Sequence, residues 1–312
     1  MRTFILLFII LLFSSCAKNP VEETNEAIDV ALTHLSSGNC DEALSVLAEI
    51  GNQPDNAIYL QVLASAHACK AGFDEVAFVN NDLTSIDTTS GSTIMKTASV
   101  MSLSDDTQAD SANFTAIKTG YNIILNSTAG VPSQVDRTAK FGSRKSGDMG
   151  VQALILNIVN LGKFLNFYGN VDATGTKGAG VNTNTCFLNY NDPRAQVVTG
   201  AGTGACTVDN DGHPDLDQST EDGKRRLCEG LMLVTNTLNI LDNIDLSGSS
   251  SLSKLEAVQT QVNTFRTNAT AAGLGTLINM TSQSVCETYL DTPAQLLDME
   301  YLYALVFETG LQ

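Results

Sequence analysis

Residues 149–168, MGVQALILNIVNLGKFLNFY, decide the fold class of this chain. Apolar side chains would lie almost all round a helix formed by this stretch, with Asn157, Asn160 and Asn166 interspersed among them. A helix without a wide polar face is normally buried in the middle of a domain. The stretch therefore predicts a buried helix in the core of a helical unit.

Apolar residues at helical spacing continue towards the C-terminus. Three stripes step by three or four residues, as one face of a helix does. They are Leu227, Leu231, Val234, Leu238 and Leu241; Leu252, Leu255, Val258, Val262 and Phe265; and Leu296, Met299, Leu302, Leu305 and Val306. We interpret residues 227–312 as C-terminal helices whose stripes face a core, not as cofactor-binding sequences. With 6% aromatic residues and no Trp, that core should be mostly aliphatic.

A repeated pattern lies near the N-terminus. Residues 23–50 show helical spacing in two halves, and the break at residues 36–39, SSGN, predicts a helical hairpin. The segment SGNCDEAL at residues 37–44 is echoed by AGFDEVAF at residues 71–78. The shift is 34 residues at the glycine and 33 at the Asp-Glu pair, and Pro54, between the two units, should stop a helix.

This pattern resembles the tetratricopeptide repeat, a helical hairpin of about 34 residues. Small residues stand where paired helices would cross, at Ala31, Ala43, Ala64 and Ala77, although Ala27 and His34 replace the usual Trp and Tyr. The alternative is an unrelated helical bundle. The resemblance implies an all-α fold in which residues 23–85 form TPR-like helical hairpin repeats.

The first 16 residues have the order of a signal peptide. Arg2 is followed by ten apolar residues, then by Ser14, Ser15 and Cys16. The apolar run spans only about half of a 30 Å hydrocarbon core, which argues against a permanent membrane span. The expected organisation is a signal peptide over residues 1–15 and a tether over residues 16–22.

The end of this segment resembles the lipobox of bacterial lipoproteins, with Phe13 where that family prefers Leu. The resemblance implies that Cys16 carries a lipid and becomes the first mature residue; ordinary secretion is the alternative. It also implies a lipid-anchored envelope protein, facing the periplasm or the cell surface. Ala17 favours the outer membrane over the inner membrane, because an aspartate at that position is the family's inner-membrane signal.

Charge limits the possible partners of the mature chain. Without residues 1–15, which contain one basic and no acidic residue, the net charge is −18. Such a polyanion repels nucleic acid and anionic lipid surfaces. We therefore expect no nucleic-acid partner and membrane contact only through the lipid on Cys16.

Six cysteines remain besides Cys16, and an even number in an exported chain predicts up to three disulfides. The stacking of tetratricopeptide units implies that Cys40 pairs with Cys69. For the others, pairing Cys186 with Cys206 is economical, and Cys228 would then join Cys286. Other connectivities of these cysteines stay open at this level.

Two segments in the middle of the chain carry polar or charged clusters. Residues 86–168 form a helical region with clearer helices near residues 91–103 and 110–126. It contains a basic cluster, which we interpret as a solvated loop, with an anion-binding patch as the alternative. The cluster comprises Arg137, Lys140, Arg144 and Lys145.

Residues 169–226, rich in Gly, Thr, Asn and Asp, form the second segment. A structureless loop of this length is unusual, so it should carry function or cross-links. Its turn DNDGHPDLD, residues 209–217, resembles the core of short calcium loops, including EF-hand-like and thrombospondin type 3 loops. The candidate ligands are Asp209, Asp211, His213, Asp215 and Asp217. In the numbering of the twelve-residue EF-hand loop, position one would be Thr207 and position twelve would be Gln218, and both depart from the EF-hand pattern. The alternative interpretation is a solvent-exposed acidic turn.

The histidines of this chain do not lie in recognised enzyme motifs. The chain has three histidines and no HExxH, GxSxG or SxxK arrangement around them, nor a phosphate-binding loop. We therefore expect a non-enzymatic envelope protein that binds or scaffolds a protein, peptide or small ligand. The alternatives are a surface or solute-binding lipoprotein stiffened by calcium and disulfides and, third, an unrecognised enzyme.

Overall fold

The computed structural model describes residues 19–74, 78, 110–128, 130, 132–172, 176–180, 182–200, 206, 212–244 and 264–309. These residues form helices and no β-strand, so the predicted helical class is confirmed. The helices are α1 (Pro20–Ser36), α2 (Cys40–Glu49), α3 (Ala57–Lys70), α4 (Ala112–Leu125), α5 (Gln134–Phe141), α6 (Ser143–Tyr168), α7 (Pro193–Gly200), α8 (Glu221–Asn243), α9 (264–271), α10 (Gly275–Ile278), α11 (Gln283–Tyr289) and α12 (Pro293–Tyr303). A short 3-10 helix covers Pro214–Leu216, and a π-helical turn, Ala304–Glu308, extends α12.

Helix α6 contains the apolar stretch 149–168, and this stretch is buried as predicted. It packs against α3, α4, α5 and α8. Asn157 and Asn160 of this stretch are buried too. The Asn157 side-chain amide donates to Leu233 O at 2.8 Å and to Thr237 Oγ1 at 2.7 Å. A buried amide must find partners, so these hydrogen bonds fix the register of α6 against α8.

The N-terminal helices α1, α2 and α3 pack on one another. Helix α1 ends at Ser36 and α2 begins at Cys40, which agrees with the predicted hairpin break. The predicted tether is too long at its C-terminal end, because α1 already begins at Pro20. Proline suits the first helical turn, and Asn19 Oδ1 accepts a hydrogen bond from Val21 N. Most of the second repeat beyond residue 74 lies outside the described residues, and the tetratricopeptide assignment stays a prediction.

The C-terminal half has a cluster of aromatic rings at its centre. Tyr303 and Phe307 stack with centroids 4.3 Å apart, and Phe164 lies 5.9 Å from Phe307. Gly230 on α8 makes room for this cluster, since a Cβ there would collide with Phe164 and Tyr303. The core is mostly aliphatic, as expected from composition. Its buried aromatic residues occur both in this cluster and in the N-terminal half, at Tyr59, Phe73, Phe78, Phe114 and Tyr121.

The segment predicted as a long loop, residues 169–226, contains more regular structure than expected. It includes α7 and the 3-10 helix, and its last residues already belong to α8. The basic cluster was also wrongly predicted to be a loop, because it lies on α5 and the start of α6. Within the described residues, no helix has the length and apolar character needed to cross a membrane.

Candidate functional site

Several predicted site residues lie outside the described part of the chain. These are Cys16, Asp209 and Asp211. The lipid anchor and half of the calcium loop therefore stay predictions, as do the helix near residues 91–103 and most of the stripe at 252–265.

The described half of the predicted calcium loop has intramolecular contacts. His213 is 8% exposed, and its ring lies 4.8 Å from the ring of Phe167. Its carbonyl oxygen, the candidate ligand, accepts a hydrogen bond from Leu216 N at 3.0 Å. Asp215 Oδ1 lies 3.6 Å from Arg226 Nη1, and Asp217 Oδ1 accepts from Ser219 N at 2.9 Å. These residues form the turn that leads into α8.

The three predicted cysteine pairs are those that the structure contains. Disulfides join Cys40 to Cys69, Cys186 to Cys206, and Cys228 to Cys286. Cys186 and Cys206 also lie within 4.8 Å of a Glu308 carboxylate oxygen, a grouping that could suggest a metal centre. Because the two sulfurs are bonded to each other, they are not thiolate ligands in this state.

Two buried carboxylates hold the segment that follows Cys186. Glu308, fully buried, forms an ion pair with Lys177 and accepts hydrogen bonds from Phe187 N and Tyr190 Oη, both at 2.7 Å. Glu300, 1% exposed, accepts from the backbone N–H of Asp192 at 2.6 Å. Carboxylates satisfy buried N–H groups well, so this is a structural clamp. Burial and the neighbouring Glu308 raise the pKa of Tyr190, which keeps its hydroxyl a donor.

A polar pocket lies between α5 and α8. Its volume is about 210 Å³, enough for a small organic molecule. Amide, hydroxyl and guanidinium side chains supply most of its wall. The lining residues are Leu125, Pro132, Ser133, Gln134, Val135, Arg137, Asn236, Asn239, Ile240, Asn243 and Thr281.

Arg137 is the one cation in the wall of this pocket. Its side chain is 2% exposed, yet it forms no ion pair within the part of the chain that is described. Its Nη2 donates to Gln134 Oε1 at 2.8 Å and its Nη1 to Leu125 O at 3.3 Å, while Nε has no partner. Burial lowers the pKa of Arg137 to about 10, an effect opposed by the charge of Asp136. The group is still cationic at neutral pH.

A hydrogen-bonded chain of side chains positions this guanidinium. Gln134 Nε2 donates to Ser146 Oγ at 2.9 Å, and this orients Gln134 Oε1 towards Arg137. Ser133 caps α5 by accepting from Asp136 N at 3.2 Å. The first turn of α5 is therefore fixed at both its cap and its side chains.

The opposite wall comes from one face of α8. Asn236, Asn239 and Asn243 are spaced by three and four residues, so they lie in a row along the helix. Asn236 is 7% exposed and its Oδ1 has no hydrogen-bond partner. The sequence interpretation missed this row of asparagines, and it named Arg137 only within the basic cluster that it interpreted as a solvated loop. Their signal was present, as asparagines at helical spacing beside the leucine stripe.

A second hollow, of about 480 Å³, lies at the start of α1 and the connection between α2 and α3. Its wall combines carboxylates with apolar side chains. The residues are Pro20, Val21, Glu23, Thr24, Glu49, Ile50, Gln53, Pro54, Asp55 and Asn56. Asp55 forms an ion pair with Lys140 at 3.0 Å, so part of this negative charge is already compensated.

Comparisons with known proteins found no protein-family model, no curated protein and no solved structure that matches this chain. Function must therefore be argued from the residues and their geometry.

Proposed function

We propose that this chain is a lipid-anchored envelope protein that binds a small polar ligand in the pocket between α5 and α8. The observation that carries the proposal is the wall of that pocket, where a buried guanidinium and a row of amides surround about 210 Å³. Ligand sites are concave and contain a few polar groups that converge on the ligand. The anchor at Cys16 and the outer-membrane location rest on the signal-peptide resemblance alone.

Two features of the wall support ligand binding over a purely structural role. Arg137 Nε and Asn236 Oδ1 are buried without hydrogen-bond partners. A buried polar group without a partner costs roughly 1–3 kcal/mol, so residues of a merely structural pocket would normally be paired or apolar. Both atoms have almost no accessible surface, so a polar ligand would pair with them only after a small side-chain movement.

The second candidate function is binding of a positively charged protein segment at the N-terminal hollow. The specific observation is that Glu23, Glu49 and Asp55 line this hollow together with the exposed Val21. Carboxylates beside an apolar side chain suit a basic peptide with an apolar residue. This candidate keeps the scaffold role expected from the sequence, and its site is separate from the polar pocket.

The absence of tryptophan makes the main proposal easy to test. Thr281 lines the pocket and is exposed, so Thr281→Trp places the only tryptophan of the variant there. We expect at least one member of a panel of amino acids, polyols, short carboxylates and amides to change its fluorescence saturably. Calorimetry on the unsubstituted chain should then detect binding of the same molecule.

The matched control is Val197→Trp, because Val197 is 74% exposed on α7 and does not line the pocket. Its fluorescence should not respond to the same molecules. No saturable response at position 281, or an equal response at both positions, would contradict binding in this pocket. The proposed lipid anchor is tested separately by Cys16→Ala, which should move the protein out of the membrane fraction.

A further inference from the structure

We propose that the ligand of this pocket is a small oxyanion, a carboxylate or a phosphate, whose charge is held by Arg137. The inference rests on the proposed function and gives the chemical class of its ligand. The proposal also assigns an anion-binding role to Arg137, a residue of the basic cluster that the sequence predicts to be a solvated loop.

The first step of the argument is the missing counter-charge. The charged residue of the wall is Arg137, and the acceptors that it contacts, Leu125 O and Gln134 Oε1, are neutral. Leu125 ends α4, so its carbonyl offers the partial negative charge of a helix C-terminus, which is smaller than a full charge. The carboxylate of Asp136 favours the charged form of Arg137, but it forms no ion pair or hydrogen bond with the guanidinium. Burying a cation without a directly bound anion is costly, and an anionic ligand would offset that cost.

The second step concerns the donors that an oxyanion needs. A guanidinium has more N–H groups than the two hydrogen bonds of Arg137 use, and it binds carboxylates and phosphates through paired donors. Across the pocket, the side-chain amides of the α8 row offer further N–H groups. A neutral ligand could use the amides, but only an anion uses the charge.

The third step is the contrast with the rest of the molecule. The chain as a whole has a net charge of −17, which repels anions at long range. Salt screens this long-range repulsion, whereas a buried cation in a concave site acts at short range, where screening is weak. Selectivity for an anion must therefore come from the pocket itself and should depend on Arg137.

The experiment compares matched charged and neutral probes at pH 7.5 and fixed ionic strength. Acetate, succinate and inorganic phosphate are titrated by calorimetry against acetamide, succinamide and glycerol. We expect at least one oxyanion to bind more tightly than its neutral match. Carboxylate binding without phosphate binding, or the reverse, identifies which oxyanion the site takes.

Two single substitutions test whether oxyanion binding depends on Arg137. Arg137→Gln should weaken oxyanion binding about tenfold or more, because a charge-assisted hydrogen bond is lost. Arg144→Gln is the matched control: it removes the same charge from an exposed position outside the pocket and should change affinity less than about twofold.

A second substitution, at Asn243, tests the proposal independently in case Arg137→Gln does not fold. Asn243 is exposed at the pocket, so Asn243→Asp adds a like charge with little change in shape and should also weaken oxyanion binding. Asn243→Ser, which adds no charge, should weaken it less. Equal affinity for charged and neutral probes, or oxyanion binding that survives in both Arg137→Gln and Asn243→Asp, would overturn the oxyanion proposal alone. If no probe binds the unsubstituted chain, the proposal of a small-ligand pocket fails with it.

Discussion

At the scale of single residues, the main features are charged and polar groups placed inside the molecule. Arg137, Glu300 and Glu308 are all at most 2% exposed. Both glutamates are saturated by loop N–H groups or by Lys177, and so they act as structural clamps. Arg137 has only neutral acceptors. This difference in partners is why we assign ligand binding to the arginine.

His213 also belongs to this scale, as a candidate calcium ligand that is packed against Phe167 and Tyr168. Burial lowers its pKa in the folded state; Asp215 opposes this effect and Arg226 adds to it. The folded chain thus binds fewer protons than the unfolded chain below a pH of about 6.5. The free energy of unfolding should therefore fall as the pH drops below that value.

We expect urea unfolding to show lower stability at pH 5.5 than at pH 7.5, with a smaller loss in His213→Gln. His67 contributes in the same direction, because its pKa is also lowered by burial and by Lys70. The double variant His213→Gln with His67→Gln should therefore lose still less stability between pH 7.5 and pH 5.5. The comparison between variants removes the contribution of carboxylates that they share. An unchanged pH dependence in His213→Gln would show that the neutral ring is not required for folding.

At the scale of secondary-structure elements, close contacts depend on where a helix carries glycine. Helix α4 approaches α3 at Gly120, where a Cβ would lie 2.9 Å from Ala64 O. Helix α8 packs closely against the aromatic cluster at Gly230, where a Cβ would collide with Phe164 and Tyr303. The helical periodicity of the sequence predicts these helices, but it does not reveal which faces approach so closely.

The matched substitutions Gly230→Ala and Gly147→Ala test this point. The first should lower the free energy of unfolding by about 1–3 kcal/mol, because Phe164 and Tyr303 must move. The second lies within α6 with no heavy atom within 4 Å of the added Cβ, so it should raise stability by up to about 1 kcal/mol. Both are measured by urea unfolding. A stabilising Gly230→Ala would contradict the close packing of α8 on the aromatic cluster.

At the scale of the whole molecule, three disulfides cross-link separate parts of the chain. Cys40–Cys69 closes a separation of 29 residues within the N-terminal helices, whereas Cys228–Cys286 closes 58 residues and joins α8 to α11. In the chain-entropy model, doubling the loop adds about 0.6 kcal/mol to the stabilisation. The C-terminal pair should therefore contribute more.

Replacing Cys228 and Cys286 together by Ala should cost about 4 kcal/mol, and replacing Cys40 and Cys69 should cost about 0.6 kcal/mol less. Both cysteines of the C-terminal pair are fully buried, so lost packing would increase the difference. Equilibrium unfolding in urea of the two double variants measures both costs. A larger loss from the N-terminal pair would contradict the loop-length argument.

Sequence patterns alone predict the helical class, the burial of α6 and the break between α1 and α2, and they favour the three cysteine pairs that the structure contains without excluding other pairings. These features depend on local periodicity, on turn residues or on a small number of possible pairings. The packing of the helices is needed to show that Arg137 is buried, that Glu300 and Glu308 hold the segment after Cys186, and that α5 and α8 border a polar pocket. Such features depend on which helix faces meet across long sequence separations. The sequence does not distinguish a charged residue in water from one in a core, because its burial depends on the helices that pack around it.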